Sequence, residues 1–162
     1  MKEYNIELLF AIIRLKGYIN IRVSGYSMNP TLYEGDSITV QRADIYAPGD
    51  ILVFRYRSTE LLVHRLLFVK ENNEKFPCFI CKGDNAFRLE DIGTKDIVGK
   101  VIMINGSQIV PWPSDLIRLS YEMSKQVVRD GYDLIKIKKS PQYEQYIGRI
   151  KNIYKEREEI RM

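Results

Sequence analysis

Ile6, Leu9, Phe10 and Ile13 fall on one stripe at helical spacing, and Gly17 stops the run, so a helix is predicted over 3–15. From Tyr18 to about Val110 the pattern shortens. Apolar or alternating runs (INIRV, SITV, ILVFRY, LLVHRLLFV, CFIC and IVGKVIMI) are separated by NPTLYEGD, YAPGD, RSTE, KENNEKF and KGDN. Short strands punctuated by Gly, Pro and Asp turns predict a mainly β core, coiled or barrel-like. After Pro111-Trp112-Pro113 helical spacing returns. Leu116, Leu119, Met123 and Val127 predict a helix over 114–130, and Tyr143, Tyr146, Ile147, Ile150, Ile153 and Tyr154 a second over 142–158, started by Ser140-Pro141. The expected layout is an N-terminal helical segment over 1–19, a β core over 20–110 and a C-terminal helical extension over 111–162.

Composition changes this picture little. The chain has 162 residues, 45% of them apolar, which suits one domain with a real core. Lys and Arg number 25 against 21 Asp and Glu, a surplus too mild to call for a nucleic-acid partner. The densest apolar run, Leu8 to Ile13, ends at Arg14, too short to span a bilayer, and it lacks the marks of a secretory signal. The expected location is the cytoplasm. Between 125 and 162 lie ten Lys/Arg and six Asp/Glu, read first as a solvated helix face. The alternative for these helices is a peripheral membrane or partner-protein contact. Cys78 and Cys81 sit in a strand-like CFIC and the chain has one His, so two buried free thiols are expected, with no metal and no cofactor.

The candidate chemistry is sparse. Ser27 lies inside VSGYSMNPTL, a stretch with the Gly, Asn and Pro of a loop, and is either a turn residue or a nucleophile. A serine nucleophile needs a base within hydrogen-bond reach, and often a third group to orient that base. The one imidazole, His64, shares a strand face with Leu62, Leu66 and Phe68 by alternation. It is the side chain best suited to accept a serine proton near neutral pH, but a lone histidine on an apolar face is also an ordinary core residue. Asp84 in KGDN and Asp91 in RLED are candidate orienting acids. Gly-Asp pairs recur at 35–36 and 49–50 as plain turns, so Asp84 alone carries little.

Taken in order, VSGYSMNPTL, GDILVFRY (49–56), LLVHRL (61–66) and KGDN (82–85) resemble the successive boxes of the S24/S26 serine peptidases, the superfamily of signal peptidase I and the self-cleaving repressors. The resemblance covers roughly residues 20–105. It implies a serine endopeptidase acting on a leader or precursor peptide, with Ser27 as nucleophile. It puts His64 where the bacterial enzymes carry a lysine base, as in the endoplasmic-reticulum and archaeal signal peptidases. It also implicates Asp84 and an acid some six residues on, where Glu90 and Asp91 both lie. Asp84 is expected nearest the pair, Asp91 next, and Glu90 facing solvent. Ser24 and the amides of Tyr26 and Ser27 are candidates for oxyanion and substrate contacts. Gly25 would allow close backbone approach, and Met28 and Pro30 would stiffen the loop. Only 26 residues precede Ser27, so neither a fused DNA-binding module nor self-cleavage is expected, and the substrate is a polypeptide met in trans. The competing reading is a peptide- or partner-binding module that keeps the fold without cutting.

Overall fold

The computed structural model describes residues 5–71, 76–155 and 159. Helix α1 (Ile6–Lys16) is capped at both ends. Asn5 accepts from the Leu8 amide, and Gly17 closes the helix in the left-handed conformation (φ +80°) that a glycine adopts without steric cost. The strands are β1 (Tyr18–Arg22), β2 (Ser37–Gln41), β3 (Ile51–Tyr56), β4 (Glu60–Lys70), β5 (Cys78–Lys82), β6 (Glu90–Gly93), β7 (Ile97–Ile104) and β8 (Ser107–Gln108). They form one antiparallel sheet in the order β1-β2-β7-β3-β4-β5-β6, with β8 folded back on β7. Helices α2 (Ser114–Arg129), α3 (Leu134–Lys138) and α4 (Pro141–Ile153) complete the described chain. The fold is thus the mainly β core with an N-terminal helix and C-terminal helices that the apolar pattern predicts.

Both faces of the sheet are covered. One carries the larger core, where Ile38, Val40 and Val53 meet Ile13 of α1, Leu116 of α2 and Tyr146 of α4. The other carries a smaller core of Leu52, Phe54, Leu66, Phe79, Cys81 and Ile92. A sheet buried on both sides explains why ILVFRY reads as a continuous apolar run rather than an alternating one.

The structure departs from the sequence pattern at several places. Phe68 does not share the face of His64: the β4–β5 register shifts between Leu66 and Phe68, and a bulge turns Phe68 toward Tyr121 of α2. Helix α3 was not predicted, because five residues behind the N-cap Asp133 are too few to show a period. Strand β6 was not predicted either, because Glu-Asp-Ile-Gly lacks an apolar run. The thiol of Cys81 is buried, but that of Cys78 is only partly covered. The second C-terminal helix runs over Pro141–Ile153, and positions 156–158 of its expected span lie outside the described residues.

Candidate active site

Strand β4 aims neighbouring side chains at opposite faces of the sheet. His64 points to the smaller core, where its ring meets Phe54 edge-on, and Arg65 points to the larger one over the Trp112 ring. Strand pairing then decides which acid reaches which residue. Cys81 pairs with Glu90, and Phe79 with Ile92, so Glu90 and Ile92 share the face of Cys81 and His64. Asp91 pairs with Ile80 and points the other way, to an exposed position.

The result is a continuous relay. Ser27 Oγ lies 3.0 Å from His64 Nε2, and His64 Nδ1 lies 2.9 Å from Glu90 Oε2. A carboxylate only accepts, so the imidazole donates its Nδ1–H to Glu90 and leaves Nε2 to accept from the serine hydroxyl. His64 and Glu90 are 5% and 2% exposed, whereas Ser27 is open to solvent. The loop and the strand thus bring together Ser27 and His64, which lie 37 residues apart in sequence.

The acid beside the imidazole is therefore Glu90, and the expected order of Asp84, Asp91 and solvent-facing Glu90 does not hold. Asp84 is buried in a different cluster. Arg65 donates to it through Nε at 2.9 Å and Nη2 at 2.8 Å, Thr31 Oγ1 donates to it as well, and Arg65 Nη1 donates to the Gly49 carbonyl. Burial works against the guanidinium charge, but Asp84 beside it holds Arg65 above its ordinary value. This is a fork-on-carboxylate staple between β4 and the turn after β5.

That turn in its own right builds the site. Gly83 stands across from His64, and a Cβ on it would lie 2.6 Å from the Ser27 carbonyl oxygen and 3.1 Å from His64 Nε2. Only a residue without a side chain lets the serine loop and the imidazole close on this turn. The Asn85 amide donates to the Ser27 carbonyl at 2.8 Å, and the Met28 sulfur accepts from the Asp84 amide. The C-terminal helices brace the turn from behind: Tyr146 donates to the Asp84 carbonyl at 2.7 Å and Tyr143 to Asn85 Oδ1 at 2.6 Å. Lys82, fully buried, donates to Ser120 of α2 at 3.0 Å and to the Gly83 carbonyl at 3.3 Å. Burial pushes its ammonium down to about 8, against the pull of Asp84 and Glu90.

On the serine loop, Gly25 holds φ +88°, left-handed backbone that glycine takes freely. Ser24 is exposed. The Tyr26 ring is exposed as well and its hydroxyl donates to Glu34. Among the described residues the amides of Tyr26 and Ser27 donate to no acceptor. Ser27 opens onto a groove of about 1180 Å³, lined also by His64 and Glu90 and walled by 85–89 and by residues of α2 and α3. Sequence reasoning missed Glu90 as the nearest acid, Gly83 as the close-packing residue, Lys82, and this helical wall. The spacing KGDN to RLED held the signal for Glu90, but only with β6 recognised as a strand.

No curated protein matches the chain. Residues 3–76 match the profile of the Peptidase S24-like family, a stretch that includes Ser27 and His64 and stops before Gly83, Asp84 and Glu90. That match supports the S24/S26 superfamily, and with it a peptidase-fold protein.

Proposed function

We propose that the protein is a serine endopeptidase of the signal peptidase-like kind, cutting a polypeptide in trans. The observation that carries this reading is the relay from Ser27 Oγ through His64 to Glu90, with its serine end open to a groove and its acid end buried. Ser27 Oγ attacks the scissile carbonyl carbon while its proton passes to His64 Nε2. The imidazolium so formed is stabilised by Glu90, which keeps its own charge. The amides of Ser27 and Tyr26 donate to the developing oxyanion. Collapse of the tetrahedral intermediate breaks the C–N bond, and His64 Nε2–H protonates the leaving amine. Water then repeats the cycle on the acyl-enzyme and regenerates the serine. Segment 85–89 and the edge strand β6 offer main-chain groups to an extended substrate, as in strand addition.

Lys82 is not the base in this scheme. Its ammonium donates to Ser120 and the Gly83 carbonyl, whereas His64 holds the contact with Ser27.

The test is covalent labelling with a small fluorophosphonate, followed by cleavage of candidate precursors. Wild type is expected to label at Ser27 and to cut. Ser27→Ala and His64→Ala are expected to lose at least about 10³-fold in rate while melting near the wild-type temperature. Absence of labelling in folded wild-type protein, with retained peptide binding, would establish the non-cutting module instead.

A further inference from the structure

The groove has a wall that the chemistry above does not use. Arg88, Lys125, Arg129 and Lys138 all line it, and the one carboxylate among its described lining residues is Glu90, which is buried against His64. Arg88 and Lys125 have acidic neighbours, each at 3.4 Å, in Glu90 and Glu122. Arg129 and Lys138 have no ion-pair partner among the described residues. Between these cations the wall is apolar and unusually open. Val128 is 59% exposed, Tyr132 69% and Leu134 45%, and Leu89 lines the same groove. Exposed apolar side chains gathered at one place mark a binding surface. Ser124 lines the same wall and buries a hydroxyl with no hydrogen-bond partner among the described residues, a group that a seated main chain could satisfy after a side-chain rotation.

We propose that α2 and α3 are the specificity wall of this groove, and that it takes an extended polypeptide segment in which acidic side chains flank apolar ones. The proposal rests on the reading of Ser27 as the reacting group at the groove's other wall. Charge complementarity selects the occupant. Among the described residues the groove offers unpaired cations and no free acid, so a basic segment is repelled and an acidic one gains contacts that a neutral one lacks. The concave form argues for a polypeptide rather than a bilayer: the cations and apolar residues line a recess continuous with Ser27 and His64. A bilayer cannot follow a surface into such a recess. At about 1180 Å³ the groove exceeds the roughly 300–1,000 Å³ of common small-molecule sites.

Binding can be read without cleavage. Full-length Ser27→Ala is titrated with a fluorescein-labelled octapeptide carrying Leu, Val and Ala at its centre and Asp and Glu at both flanks. Its twin carries Asn and Gln in place of the acids. Anisotropy at low salt is expected to show the acidic peptide binding roughly five- to tenfold tighter, with the difference shrinking at high salt. Adding Arg129→Glu and Lys138→Glu is expected to remove or reverse that preference. The same charge change at exposed Arg42 and Lys95, outside the groove, is expected to keep it. Should the double reversal fail to fold, Arg129→Gln with Lys138→Gln reads the same loss at smaller amplitude. Equal affinity for the twins, or a preference that survives the groove variants, overturns the proposal. So does a result in which the twins bind alike but phosphatidylglycerol vesicles bind wild type and not the groove variants, which would make the wall a membrane contact. If fluorophosphonate fails to label wild type yet the acidic preference stands, the cleavage reading falls and the recognition reading survives.

Discussion

His64 and Arg65 are chain neighbours that face opposite sides of one sheet, and each meets a buried carboxylate. On one side Arg65 and Asp84 are both shut away from water, held by two short hydrogen bonds and closed over by Trp112. On the other, His64 has a buried acid behind it in Glu90 and an open serine in front. Arginine keeps its proton at every accessible pH, so its pair fastens strands and does nothing else. Histidine can take and return a proton, so the same kind of pairing becomes a relay once a hydroxyl stands at its outer nitrogen. Burial of an acid therefore says little about its work. The partner's ability to exchange a proton, and an outlet to the groove, separate a staple from a site.

Exchanging the two carboxylates for amides should split stability from activity. Glu90→Gln keeps the volume but loses the charge that stabilises the imidazolium and fixes its tautomer. Turnover is expected to fall by about 10²–10⁴ with melting changed by only a few degrees. The pH–rate profile should shift in the same variant, a change that mere loosening of β6 would not give. Asp84→Asn strips the partner from a guanidinium with no access to water, and unpaired buried charge costs about 3–5 kcal/mol. That variant should melt well below wild type or fail to fold. At a temperature where it is folded it should still label at Ser27. If Asp84→Asn abolishes labelling in folded protein and Glu90→Gln does not, the two faces have been assigned the wrong way round.

Gly83 sharpens the comparison, because it lies where the staple's turn touches the relay. An added methyl would meet a backbone oxygen of Ser27 at 2.6 Å, and backbone cannot swing aside as a side chain does. Gly83→Ala should therefore displace the serine loop from His64. Misplacement by about an ångström is enough to slow such chemistry roughly 10²-fold, and the crowding itself should cost about 1–3 kcal/mol. Labelling rate and melting temperature measured together check this. A fall in stability without a fall in rate would mean that the loop re-seats elsewhere.

The relation between the faces was only partly legible along the chain. Strand β4 was evident from LLVHRLLFV, and alternation set His64 with Leu62 and Leu66, though the bulge takes Phe68 off that face. Both long C-terminal helices declared themselves through their apolar stripes. What failed was the acid. Glu90 and Asp91 were rightly set on opposite faces of an extended segment, but which one turns inward depends on the pairing of β6 with β5. No run of apolar residues reveals β6, since its inward positions are Glu90 and Ile92 alone. The partner of Asp84 was invisible for a different reason. Nothing along the chain marks Arg65 as buried: its cover is Trp112, which lies 47 positions away and reaches it only through the packing of the extension on the sheet. Local pattern carries strand and helix identity; register and long-range cover carry the site.

The smallest effect separates Lys82 from both pairs. It is a buried cation that can lose its proton within the measurable range, with its ammonium down to about 8 in the fold. In the unfolded chain the same group titrates at about 10.4. Between those values the folded protein holds Lys82 neutral while the unfolded chain still binds the proton, so unfolding takes up a proton and stability rises with pH across that window. Below about 8 both states are charged and the fold bears the full desolvation cost. Other groups run against this: burial raises the Cys81 thiol and the Tyr146 hydroxyl, whose protons the unfolded chain releases first, so they lower stability in alkali. Their share is common to wild type and Lys82→Met and cancels in the difference. Wild type minus Lys82→Met, followed by urea unfolding from pH 7 to 9.5, should therefore climb by on the order of 1 kcal/mol. The methionine chain fills much of the space, and Ser120 keeps Tyr146 as a hydrogen-bond partner at 3.2 Å, so the variant should fold. A flat difference across that range would mean that the Lys82 ammonium stays charged in the fold, and that a third permanent charge sits beside the Arg65 staple.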